Sequence, residues 1–328
     1  MKLLVVGLLG LLAAERIGCD NVAEPSPPNG SDTTSQNFSI STWEYGDGYE
    51  SSWASSAWVF DQNNIWITGY FPDTVGGPPH NILRWDGAKW NGYGRFFNSS
   101  GINCIWSLDS SHVYLADGLV IIYGDGFFSR PDFTRLPWSS GQSVDYVWAS
   151  SDKNVWGVGA SGCVVHYDGI EWKKIACDTT VNFHSITGSP NSGVAYATGW
   201  TFDYVTYVVR LAGDSVEILL TGGNSDQSII MPGSLLRYEN ELWVTGSRIR
   251  LFQPTTRSLS TFYTPSVYTT PIAMAAPNDI FMAESYYGST VLLHFNGARF
   301  NEFQVSTAST FWSLPQIVDT KLSQDRLV

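Results

Sequence analysis

Residues 147–175 read VWASSDKNVWGVGASGCVVHYDGIEWKKI. An apolar pair leads into a polar turn, and a second apolar stretch ends in Gly. A short turn, an alternating stretch, Asp-Gly and a final segment carrying Trp172 follow. Alternation with period two between turn residues is the pattern of short β-strands, and Asp-Gly supplies the positive φ that tight hairpins need, so the stretch predicts four strands joined by three turns. The pattern returns along the chain. Trp58 and Trp66 stand eight apart like Trp148 and Trp156, and Asp86-Gly87 leads to Trp90. Trp106 and Tyr114 keep the interval, with Asp125-Gly126 downstream, and Ala273 and Phe281 keep it before Asn296-Gly297-Ala298-Arg299-Phe300. Thr187 to Tyr196 holds one extra residue, which suggests a bulge, and Leu235 to Trp243 keeps the spacing without a clear Asp-Gly. Phe311-Trp312-Ser313-Leu314 echoes Ile105-Trp106-Ser107-Leu108 as a seventh start.

First-strand positions therefore fall at 58, 106, 148, 187, 235, 273 and 312, a mean period of about 42 residues. Four short strands per repeat of that length define a propeller blade, whereas a helical solenoid would show apolar periodicity near 3.6, which these segments lack. The expected fold is all-β, a β-propeller. A lone four-stranded blade has two apolar faces, and radial packing covers each with the next blade. Residues 40–44 (ISTWE) look like the last strand of a unit, with Trp43 in the place of Trp90 or Trp172, while the C-terminus supplies a first strand. The favoured reading is seven blades, the ring closed by N- and C-terminal strands sharing one blade. Six is the alternative, since only residues 315–328 remain for that blade's middle strands. The recurrent tryptophans are expected to pack between blades.

The run VW-x7-W-G-V-G…HYDG-x-x-W resembles the repeats of bacterial secreted or lipid-anchored β-propeller proteins over about residues 39–314. Residues 150–156 also resemble the Asp-box turn of sialidase-type propellers, with Asn154 at the place of that turn's Gly. The resemblance implies a propeller fold and a range of functions: glycan binding, protein scaffolding, or glycosidase or lyase chemistry. A fold shared by so many functions does not select among them.

Composition narrows the classes. The 328 residues are 43% hydrophobic and 15% charged, with 14 Trp, 16 Tyr and 17 Phe, too apolar and aromatic for a disordered chain. With 18 basic and 30 acidic residues the net charge is −12, and no basic run exists to engage a phosphate backbone, which argues against nucleic acid as a partner. Lys2 precedes a twelve-residue apolar run, residues 3–14, the size of a signal-peptide core and too short to span a bilayer. Arg16-Ile17-Gly18-Cys19 resembles the end of a bacterial lipoprotein signal, with Cys19 as the lipid acceptor and Arg16 where Leu is usual. The expected organisation is a signal peptide at 1–18, a flexible Pro/Ser/Asn/Thr-rich tether at 19–38 and one propeller domain at 39–328. Export to the cell envelope follows, lipid-anchored or, alternatively, secreted and soluble. Without residues 1–18 the charge is −13, from 16 basic and 29 acidic residues, so membrane contact is expected only through the lipid, and the protein is expected to be a monomer.

In a blade of antiparallel strands, the first and third turns emerge on one face, and the second turn and the link to the next blade on the other. On the first face the turns are short: residues 61–64, 151–154 and 277–279 are polar clusters, and Asp-Gly or Asn-Gly closes the third turns, so their Asp residues read as structural rather than as calcium ligands. The second face holds irregular loops at 70–81, 200–206 and 284–289. Tyr70, Phe71, Trp200, Phe202, Tyr204, Tyr286 and Tyr287 are expected to form an aromatic rim there, binding glycan or an envelope protein or, alternatively, folding down onto neighbouring loops. The catalytic alternative is a glycoside hydrolase or lyase using Asp73, Asp203 and Glu284, and a purely structural envelope scaffold is a third reading. The five histidines show no metal spacing, and His166 and His294 hold the same third-strand position, which reads as structural; no metal or cofactor is expected. With Cys19 lipidated, Cys104, Cys163 and Cys177 remain. A hairpin centred near position 170 would set Cys163 opposite Cys177 for a disulfide, a Cys104–Cys163 cross-link being the alternative.

Overall fold

A computed structural model describes residues 2–3, 43–44, 53–72, 77, 79–93, 101–134, 136–177, 180–222, 234–246, 248–263, 269–286 and 289–305. Two short N-terminal strands, β1 (Lys2–Leu3) and β2 (Trp43–Glu44), pair with each other. Six four-stranded antiparallel sheets follow in chain order. Blade 1 is β3 (Trp53–Asp61), β4 (Asn64–Phe71), β5 (His80–Trp85) and β6 (Trp90–Tyr93). Blade 2 is β7 (Cys104–Asp109), β8 (His112–Ala116), β9 (Val120–Gly124) and β10 (Phe127–Ser129). Blade 3 is β11 (Tyr146–Ser151), β12 (Asn154–Val158), β13 (Val164–Tyr167) and β14 (Trp172–Lys174). Blade 4 is β15 (Asn182–Ser189), β16 (Val194–Trp200), β17 (Thr206–Ala212) and β18 (Ser215–Gly222). Blade 5 is β19 (Leu235–Tyr238), β20 (Glu241–Val244), β21 (Ile249–Gln253) and β22 (Ser258–Tyr263). Blade 6 is β23 (Thr269–Ala276), β24 (Asp279–Tyr286), β25 (Ser289–Phe295) and β26 (Phe300–Val305).

Among the described residues the fold is a β-propeller of six blades, the count given above as the alternative to seven. The seventh start, at residues 311–314, lies outside the described residues, and Trp43 pairs with Leu3. First strands touch first strands in succession, β3 to β7, β7 to β11, β11 to β15 and β15 to β19, so they are innermost. Exposure grows outward: β7 is almost wholly buried, while most of β18 and β22 faces water or lies at its edge.

Local chemistry repeats with the blades. Asp86 Oδ1 accepts the N–H groups of Ala88 and Lys89, Asp168 Oδ1 those of Ile170 and Glu171, and Asn296 Oδ1 those of Ala298 and Arg299. The glycine after each stands at φ of 93°, 91° and 90°, a region open to Gly and strained for other residues. Asp61 Oδ1 and Asp109 Oδ1 accept N–H groups within their own first turns. These acids are occupied by backbone, as the turn reading expects.

The tryptophan positions form a stair between blades. Trp58 meets Trp106 edge-on at 4.9 Å, Trp106 meets Trp148 at 6.0 Å, and the Trp106 indole donates to the Ala149 carbonyl at 2.9 Å. Trp148 lies over Gly188 of the next blade, where an added Cβ would fall 2.4 Å from the indole. On the second strands, His166 stacks on Trp156 at 3.9 Å and His294 on Phe281 at 4.2 Å, while Arg84 lies over Trp66 at 5.6 Å. An acceptor two residues before each aromatic ring holds the third-strand group: Asn154 Oδ1 to His166 Nε2 at 2.7 Å, Asp279 Oδ1 to His294 Nε2 at 2.7 Å, and Asn64 Oδ1 from Arg84 Nε at 3.1 Å. The two histidines are thus equivalent blade struts.

Candidate functional site

Because every blade runs antiparallel from the inside outward, the second strands β4, β16 and β24 end, and the third strands β5, β17 and β25 begin, at the same face, where the 201–205 loop lies. The 201–205 loop is braced from within. Thr201 N–H donates to Val205 O at 3.0 Å, Val205 N–H to Thr201 Oγ1 at 3.2 Å, and Tyr204 N–H to Thr201 O at 2.9 Å. The Thr201 hydroxyl also donates to Asp203 Oδ1. Tyr204 closes the turn at φ 61°. A loop tied this tightly has little room to fold its apolar side chains inward, and Phe202 is 87% exposed and Tyr204 45% exposed.

Beneath the loop lies a cleft of about 610 Å³ lined by Cys177, Thr180, Thr201, Phe202, Asp203, Val205 and Tyr207. Its volume is that of small-ligand sites, which run about 300–1,000 Å³. One wall comes from the link between blades 3 and 4, the other from the blade 4 loop and β17. Trp200, at the end of β16, stacks on His184 of β15 at 3.6 Å with the rings 17° from parallel. Burial pulls the His184 pKa down from 6.5 to about 4, so the imidazole is neutral at neutral pH.

The rim residues separate. Phe71 is 1% exposed and packs with Ala54, Ala57, Ile67 and Leu83 in the core of blade 1, which corrects its assignment to a binding surface. Position-two alternation in β4 carries it inward before the loop begins. Tyr70 is half-buried and stacked on Trp53 at 4.7 Å, with the rings 14° apart. Trp53 itself is 37% exposed at the start of an innermost strand, a rim residue the sequence reading passed over. Its signal was available: first strands begin on the face where second strands end. Tyr286 ends β24 with its side chain outside the described set, and Tyr287 lies outside the described residues.

Of the alternative catalytic carboxylates, Asp203 is engaged by Thr201, Asp73 lies outside the described residues, and Glu284 sits in β24 with its side chain undescribed. Cys19 is also outside the described residues. Cys163 and Cys177 carry thiols rather than a mutual disulfide. In the β13–β14 hairpin Val165 pairs with Lys174 and Ile175 N–H reaches Val164 O, so the register sets Cys163 against Ala176, one residue short of Cys177. The alternative partner, Cys104, donates to Val147 O at 3.8 Å, and burial raises the Cys104 and Cys163 thiols to about 12.

No protein-family model and no curated protein matches the chain. Solved structures do. A structure of YCF48 bound to D1 peptide is similar at 12% identity and TM-score 0.53, over 76% of this chain and 80% of that one. The extracellular domain of the putative one-component system BT4673 from B. thetaiotaomicron is similar at 14% identity and TM-score 0.57, over 83% of this chain and 36% of that one. The C-terminal WD40 domain of Sif2 is similar at 12% identity and TM-score 0.52, over 79% and 72%. At such identities the likeness shows the β-propeller fold.

Proposed function

We propose that the protein is a non-catalytic binding propeller, exported and lipid-anchored through Cys19 at the cell envelope, that presents the second-to-third-strand loop face to a protein or glycan. The observation that carries this reading is the braced loop that holds Phe202 and Tyr204 in water beside the 610 Å³ cleft. Rings held out by a rigid loop lose little entropy on contact, and aromatic anchors over a cleft dominate binding energy where they occur. A propeller with peptide bound, as in the YCF48 structure, supports a protein partner ahead of a sugar. The domain would stand off its anchor on the residue 19–38 tether.

The test is retention of the full chain on arrays of peptides and of glycans, comparing wild type with Phe202→Ala and Tyr204→Ala. Both substitutions remove rings that face water, so thermal midpoints should stay unchanged while retention on the best ligand falls about tenfold or more. Retention unchanged in both variants would overturn the site, and product release from a glycan would overturn the non-catalytic reading.

A further inference from the structure

The lining of the cleft specifies more than a binding surface. Among the described residues that line it, Asp203 carries the only formal charge, and none is Lys, Arg or His. Thr201 occupies Oδ1, and among the described residues nothing hydrogen-bonds Oδ2. An ionised carboxylate has about four acceptor sites, so most of its capacity is open to a donor from outside. Around it stand the Phe202 and Tyr207 rings, the Thr180 hydroxyl, and the apolar surfaces of Val205 and Cys177. Tyr204 adds a second exposed ring at the loop tip.

Each part suits one kind of guest. A planar cation can lie on an aromatic face while its N–H groups reach the carboxylate, and an aliphatic stem can pack along apolar walls. Neutral sugars would use the rings but leave the carboxylate without a charged partner. A chain carrying −12 also draws cationic segments toward its surface. Resting on the binding function above, we propose that the cleft between blades 3 and 4 receives an arginine side chain from a basic segment of a partner protein, with Asp203 as its counter-charge and Phe202 as its stacking ring. Arginine fits better than lysine because its flat fork can satisfy ring and carboxylate together.

The probe is a fluorescein-labelled Gly/Ser peptide carrying three arginines, read by anisotropy against the full chain at low and at physiological salt. Its companion carries citrulline, which keeps the planar shape and length but exchanges one NH2 of the fork for a carbonyl oxygen and carries no charge. Arginine peptide binding should exceed citrulline binding at least about tenfold and weaken as salt rises. Asp203→Asn and Phe202→Ala should each lower it at least about fivefold, with thermal midpoints unchanged. Asp109→Asn, on an exposed turn of the opposite face, should leave it unaltered. Equal affinity for citrulline, equal loss in the Asp109 and Asp203 variants, or no arginine binding up to millimolar peptide overturns the proposal. If it falls in this way while Phe202→Ala still weakens retention on the arrays, the rim remains the binding site and only the guest is wrong. If Phe202→Ala changes neither readout, both readings fall.

Discussion

His184 shows how one side chain ties the candidate site to stability. Its ring is sandwiched against Trp200 at 3.6 Å, and among the described residues Nε2 is buried with no hydrogen-bond partner. Burial therefore holds its pKa near 4, whereas an unfolded histidine takes its proton near 6.5. Below pH 6.5 the unfolded chain binds a proton that the folded chain refuses. The stability associated with neutral His184 is thus complete above pH 6.5 and is lost as pH falls toward 4, by up to about 3 kcal/mol. His166, also lowered chiefly by burial, adds in the same direction. Urea unfolding at pH 7.5 and pH 5 should show His184→Phe, which keeps the stack, losing less stability on acidification than wild type. Parallel losses would mean that His184 does not titrate between folded and unfolded states as described. At this scale the sequence was readable where spacing carried the signal: His166 and His294 were legible as struts from their equivalent positions. Phe71 was not, because a strand extending two residues farther than the loop pattern implied moved it from rim to core. Cys163 and Cys177 missed opposition through a half-residue displacement of the hairpin centre.

Turns and loops divide by what determines them. The Asp-Gly and Asn-Gly turns were legible since side chain, glycine and backbone donors all lie within four residues, and the same Asx geometry recurs at Asp86, Asp168 and Asn296. Nature has already made the Asp-to-Asn exchange between blades 3 and 6. Asn296→Asp should accordingly change stability by less than about 0.5 kcal/mol, while Asn296→Ala, which leaves two N–H groups without their acceptor, should cost about 1–2 kcal/mol. Differential scanning calorimetry of the pair checks this, and equal midpoints for Ala and Asp would remove the turn from the blade's supports. The long loops obey no local rule. That residues 201–205 form a closed brace depends on Thr201 reaching both Val205 and Asp203, and that a cleft opens below depends on the blade 3 link passing alongside. Aromatic content marked the loop, but only packing between blades revealed the cleft.

Across the whole molecule, the period of the tryptophans recorded blades correctly while the count depended on the ends, where the pattern thins. One buried cluster runs without interruption from Trp58 and Ile82 in blade 1 to Val209 and Leu211 in blade 4, and separate clusters join blade 4 to 5 and blade 5 to 6. Neighbouring blades are therefore coupled through specific side chains, and the Trp148–Gly188 contact isolates one coupling. Trp148 is fully buried, so Trp148→Leu should cost about 2–4 kcal/mol by leaving a cavity. Gly188→Ala should cost about 1–3 kcal/mol through overpacking, since its Cβ would fall 2.4 Å from the indole. The two are not independent. Leucine withdraws the ring atoms that the new methyl would strike, so in the Trp148→Leu background Gly188→Ala should cost about 1 kcal/mol less than alone, or even stabilise by filling the vacated space. Chemical unfolding of the four proteins measures that interaction. Additive costs would place the strain of Gly188→Ala within its own strand, and the requirement for glycine would then come from backbone alone; a positive coupling makes the glycine blade 4's half of a joint whose other half is the repeat tryptophan of blade 3.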